Sequence, residues 1–148
     1  MRLFPVLIAV LALSGCVEQS HRHYASRSGA VAAGELARGW LPVWVPETAA
    51  EIRLQGDLDT NRVWLSFELP PSDSAELRSN LRRLSGEEAS ALPVSRPWRS
   101  SRWWPDDLVS QDSGPQRPRP AELFEGPSEG FILAFGGERG RVFAWSTP

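Results

Sequence analysis

The chain has no lysine. All sixteen basic residues are arginine, set against eighteen acidic ones, and the formal charge is −2. That balance excludes the concentrated positive surface on which nucleic-acid binding leans, so no nucleic-acid partner is expected. There is one cysteine, Cys16, which excludes an internal disulfide. There are two histidines, His21 and His23. Two imidazoles alone form a weak metal pair, and unpaired imidazoles are the plainer reading. The longest apolar run is too short for a transmembrane helix. No His, Ser or Cys constellation supports catalysis. The glycine-rich stretch Gly136-Gly137-Glu138-Arg139-Gly140 lacks the lysine and following helix of a phosphate loop. The expectation is a non-enzymatic protein without a cofactor.

What is present begins with Met1-Arg2, an almost wholly apolar segment from Leu3 to Leu13, and Leu13-Ser14-Gly15-Cys16. Residues 1–15 read as a signal peptide. Its last four positions with Cys16 resemble the lipobox of bacterial lipoproteins. The resemblance implies a diacylglyceryl group on the Cys16 sulfur, cleavage before Cys16, and acylation (a palmitate-type chain) of the new amino group. Two or three acyl chains hold durably to a membrane where one does not. Val17 stands where an aspartate favours inner-membrane retention, so the expected address in a Gram-negative cell is the outer membrane, facing the periplasm. The competing reading makes Cys16 a small residue beside an ordinary cleavage site. Residues 16–29 are polar and aperiodic and read as a flexible tether, followed by one domain over 30–148.

The stretch around which that domain is organised runs from Leu54 to Leu69. A polar turn, Asp57 to Asn61, separates two runs suited to strands. Val63, Leu65, Phe67 and Leu69 share one face, and Trp64, Ser66 and Glu68 the other. Upstream, Ala30 to Arg38 reads as two helical turns stopped by Gly39, then the proline-punctuated Trp40-Leu41-Pro42-Val43-Trp44-Val45-Pro46. Downstream, Asp73 and Glu76 have the spacing of a capping box, and Leu77, Leu81 and Leu84 form a helical stripe beside Arg78, Arg82 and Arg83 that ends at Gly86. Phe131 to Phe135 and Arg141 to Trp145 flank the glycine-rich loop as a second hairpin, with Leu123-Phe124 as a short preceding strand. The sum is an α+β domain: a small antiparallel sheet of four or five strands with one packed helix. Gly39-Trp40-Leu41-Pro42, Asp57-Leu58-Asp59-Thr60-Asn61 and Trp64-Leu65-Ser66-Phe67 resemble small bacterial exported proteins of no assigned activity, as does Trp103-Trp104-Pro105. That resemblance implies a compact domain and no mechanism.

Three candidate sites follow. Asp57, Asp59, Asn61 and Glu68 stand at positions one, three, five and twelve of a calcium-loop pattern, but Arg62 occupies the position of its glycine and a strand follows. Side chains capping their own turn are the plainer reading. Asp57 and Asp59 also form the carboxylate pair of a hydrolase reading. Trp98, Arg99, Arg102, Trp103 and Trp104 interleave the residue types enriched in binding hot spots, with Trp40 and Trp44 as a further aromatic platform. The opposing reading is a tryptophan plug over the sheet. The leading expectation is a lipid-anchored envelope protein, attached to the membrane through its N-terminal lipid, that binds a protein partner through a Trp/Arg surface. A periplasmic small-molecule, lipid or glycan binder is the alternative.

Overall fold

In the computed structural model, residues 19–92, 97, 102–105, 108, 122–128, 130–136 and 140–147 are described. They form an α+β fold. Six strands, β1 (Gln19–Ser26), β2 (Ala50–Asp57), β3 (Arg62–Glu68), β4 (Leu123–Glu125), β5 (Phe131–Gly136) and β6 (Arg141–Ser146), build one antiparallel sheet in the order β1-β2-β3-β6-β5-β4. The helices are α1 (Arg27–Ala32), α2 (Pro71–Ser79) and α3 (Gly86–Ala91). The expected four or five strands and single helix therefore become six strands and three helices.

The extra strand is the supposed tether. Residues 19–26 pair along β2 from Gln19↔Asp57 to Ser26↔Ala50. Their polar alternation conceals a strand because β1 lies at the sheet edge. Its Arg22 and Tyr24 point to a buried carboxylate, Glu35, which is 0% exposed. Glu35 accepts from Arg22 at 2.7 Å, from Arg38 at 2.9 Å and from the Tyr24 hydroxyl. Burial, then this hydrogen bond, pushes the Tyr24 phenol above its usual range. Glu35 is placed by the end of α1. The helix starts on a Ser26 side-chain cap to the Gly29 N–H, and it stops at Gly34, not Gly39. Gly34 adopts φ +84, and the N–H groups of Gly34 and Glu35 fold back onto the carbonyls of Val31 and Ala30, a Schellman closure.

Both faces of the sheet are buried. On the first, Ile52, Leu54, Leu65, Phe67, Leu133, Val142 and Ala144 pack beneath α1, Leu41, Val45 and the half-buried Trp40 and Trp44. Trp40 lies so close over Gly56 that a Cβ there would stand 2.1 Å from its ring. On the second, Trp64, Phe143, Trp145, Ile132 and Ala134 pack beneath Trp103, Trp104 and Leu108. The face of β3 that carries Trp64 and Ser66 is thus interior as well.

The predicted helix from Ser72 to Leu84 is divided. Pro71 takes the first helical position, and Pro70 supplies no side-chain cap. Asp73 does not cap because its carboxylate accepts from Thr48 at 2.6 Å and from Ser72 at 2.8 Å, bonds that lower its pKa in that order. α2 ends at Ser79. Leu84 N–H then bonds Leu123 O, and Glu125 N–H bonds Arg82 O, each at 2.9 Å, so 82–84 runs along β4 as an added edge. The chain changes sides there: Leu77 and Leu81 pack on the first core, Leu84 on the second. Gly86 begins α3 instead of ending a helix, because Ser85 and Glu88 close a capping box.

Glu35→Ala leaves Arg22 and Arg38 without their shared buried partner. We expect it to lower stability by about 3 kcal/mol in chemical denaturation, with β1 amides losing hydrogen-exchange protection first.

Candidate functional site

Cys16, Trp98 and Arg99 lie outside the described residues. Of the other aromatic candidates, none forms an exposed platform. Trp103 is 8% and Trp104 3% exposed. Trp104 meets Trp103, Phe143 and Trp145 edge-on at centroid distances of 5.5, 5.7 and 5.8 Å. Such contacts contribute roughly 0.5–1.5 kcal/mol each beyond area burial. This corrects the Trp103–Trp104 recognition surface: the pair is a plug, required because the second face carries its own apolar row. Among the described residues of that segment, Arg102 is the exposed one. Trp40 and Trp44 are half-buried against the first core, and Trp44 donates its indole N–H to Ser128 at 2.9 Å and meets Phe131 edge-on. Within the plug, the indole N–H groups of Trp103, Trp104 and Trp145 and the Ser66 hydroxyl have no hydrogen-bond partner among the described residues.

The carboxylate candidates do not converge. Asp57 accepts from the Asp59 N–H at 3.0 Å and the Thr60 N–H at 3.4 Å, and Asn61 turns the chain with φ +52. Glu68 stands at the other end of β3, about 20 Å of strand away, where it pairs with Arg141. Asp57, Asp59 and Asn61 are therefore not brought together with Glu68 as a calcium loop would bring them. His23 does have a carboxylate neighbour that sequence proximity concealed: Glu51, at 2.9 Å across the β1–β2 pair and held at φ +50. His21 packs against Trp103, and burial, then the charge of Arg53, lowers its pKa. Among the described residues no three His, Cys, Asp or Glu side chains group as a metal site.

The arrangement that does converge lies beside α2. Arg78 and Arg83 both reach Glu122, the latter at 2.8 Å, while Arg82 joins Glu125 at 2.6 Å and Glu88 at 2.9 Å. The Arg78 guanidinium stands 5.3 Å over the Phe124 ring, which meets Phe135 edge-on. Arg78, Arg83, Glu122, Phe124 and Phe135, with Ala75 beside them, line an open groove of about 680 Å³. Its chemistry is two guanidinium groups sharing one carboxylate above an aromatic floor, a setting for a carboxylate that carries an apolar group. The sequence displayed the arginines but not the groove, because Glu122, Phe124 and Phe135 come from the far end of the chain.

Residues 18–68, 51 of the 148, are similar to the YbbD head domain family. The match spans β1 to β3, the half of the sheet before α2. No curated protein and no solved structure matches the chain.

Trp104→Ala is expected to cost about 3–5 kcal/mol in an unfolding titration, the loss for a core aromatic and not for a surface one. A second expectation concerns pH. The Ser85 backbone N–H, then the Arg82 guanidinium, hold the Glu88 carboxyl down to about 2 from 4.5. The folded state binds that proton less readily than the unfolded one, so this contribution is complete above pH 4.5 and is lost as pH falls towards about 2. The difference in melting temperature between the parent protein and Glu88→Gln narrows over that interval.

Proposed function

We propose that the chain is a lipid-anchored protein of the bacterial envelope that acts by binding a partner and not by catalysis. The buried tryptophan cluster and the surface arginine ion pairs support a rigid binding module. The observation that carries the reading is the α2 groove, where Arg78 and Arg83 share Glu122 above Phe124 and Phe135. A partner segment bearing a carboxylate beside an apolar side chain fits it. The anchor rests on Leu13-Ser14-Gly15-Cys16, and Val17 favours delivery to the outer membrane, facing the periplasm. Among the described residues no helix is long and apolar enough to cross a membrane.

A second reading, a small-molecule, lipid or glycan binder, is favoured by the four buried polar groups of the plug that lack partners among the described residues. Mass spectrometry of material extracted from the purified protein tests it directly.

For the leading reading the measurement is crosslinking in intact cells with tagged full-length protein, using Cys16→Ala as the unanchored control. We expect one envelope protein to be captured by the anchored form and lost with Arg78→Ala plus Arg83→Ala, at an unchanged melting temperature. Both arginines are exposed, so their removal does not threaten the core. If the lipidated, expressed protein captures no partner, the assembly role falls.

A further inference from the structure

Among the described residues the large apolar side chains left exposed are Val43, at 77%, and Leu58, at 55%. They are distant in sequence and lie towards the same end of the sheet. Leu58 opens the β2–β3 turn beside Asp57, whose register partner on β1 is Gln19. Val43 sits in the turn closed by Val45 N–H on Pro42 O, between Trp40 and Trp44. Trp40 lies over Gly56, the neighbour of Asp57. Trp44 reaches Ser128 in the β4–β5 turn, beside Phe131, whose partner is Ser146. The Trp40–Trp44 loop therefore spans the first face at the end from which Leu58 projects.

That end is also the one where the chain arrives from Cys16. Gln19 is three positions after Cys16, and three chain steps reach no more than about 11 Å. With β1 built into the sheet there is no long spacer, so an acyl group on Cys16 holds this end, and not the α2 groove, against the bilayer. The inference rests on the anchoring proposed above.

We infer that Leu58 and Val43, with the half-buried rings of Trp40 and Trp44 behind them, seat in the interfacial layer of the bilayer that carries the anchor. Indole rings favour that layer. The charges at the turn, Asp57 and Asp59 against Arg62, leave no positive excess, so the surface that fits is zwitterionic and not strongly anionic. The docked orientation points the opposite end of the sheet, where Glu68 meets Arg141 and β3 leads into α2, and with it the Arg78/Arg83 groove, away from the membrane.

Cys16 is the only cysteine, so once it is acylated an introduced thiol is unique. Full-length lipidated protein carrying Leu58→Cys, Val43→Cys or, at the opposite end, Ser72→Cys is labelled with an environment-sensitive fluorophore. Each is reconstituted in phosphatidylethanolamine/phosphatidylcholine vesicles containing a lipid-borne quencher, and intact mass reports the state of Cys16. The expected result is a blue shift and quenching at positions 58 and 43 and neither at 72. An acylated protein whose three labels are equally water-exposed overturns the docking and leaves the anchor standing. An unmodified Cys16 in protein taken from its host membrane overturns both. Quenching that appears only when an anionic lipid is added overturns the zwitterionic partner.

Discussion

The seam between β3 and β6 is the constraint on which the rest of the molecule depends. It joins the hairpin of β2 and β3 to that of β5 and β6 through five registered pairs, from Trp64↔Trp145 to Glu68↔Arg141. Side chains along the seam alternate between faces, and both faces carry an apolar row: Leu65, Phe67, Val142 and Ala144 on one, Trp64, Phe143 and Trp145 on the other. A sheet with two apolar faces needs two covers. The chain supplies them from different places, α1 with the Trp40–Val45 loop above the first face, Trp103, Trp104 and Leu108 above the second. The change of sides at 82–84 follows, since one connection must serve both.

The ends of this sheet are treated unequally. Beyond β4, residues 82–84 add a further row of backbone bonds. At β1 no described strand lies outside, and the strand is secured from within by Glu35, which joins Arg22 and Tyr24 to Arg38 and the α1 terminus. A fully buried carboxylate is tolerable because its oxygens accept from two guanidinium groups and a phenol. The outcome is mechanical. A segment that reads as a spacer becomes part of the rigid body, which fixes where the chain enters the sheet.

Legibility differed by element for physical reasons. The hairpins announce themselves through period-two apolar residues around Asp57–Asn61 and around the glycine-rich loop, because local turn chemistry and alternation suffice to define a hairpin. α3 is equally legible in Ser85-Gly86-Glu87-Glu88, a capping-box spacing that outweighs Gly86 as a helix stop. β1 was not, since an edge strand with charged partners has no apolar period. Its signal was the single carboxylate Glu35 in an apolar neighbourhood, which acquires meaning only beside Arg22 and Tyr24. Glu51, the neighbour of His23, was concealed for the same reason: it comes from the adjoining strand.

By itself the sequence determined the α+β class, the two hairpins, the short strand at Leu123-Phe124 and the charge balance, all properties of neighbouring residues. Tertiary structure decided what the tryptophans do, where the carboxylates stand and which arginines meet. Whether Trp103 and Trp104 face water or the sheet depends on whether Trp64, Phe143 and Trp145 need a cover. That need arises only when β3 and β6 pair, across more than seventy residues of chain. Burial is a property of the assembled sheet, and no local pattern encodes it.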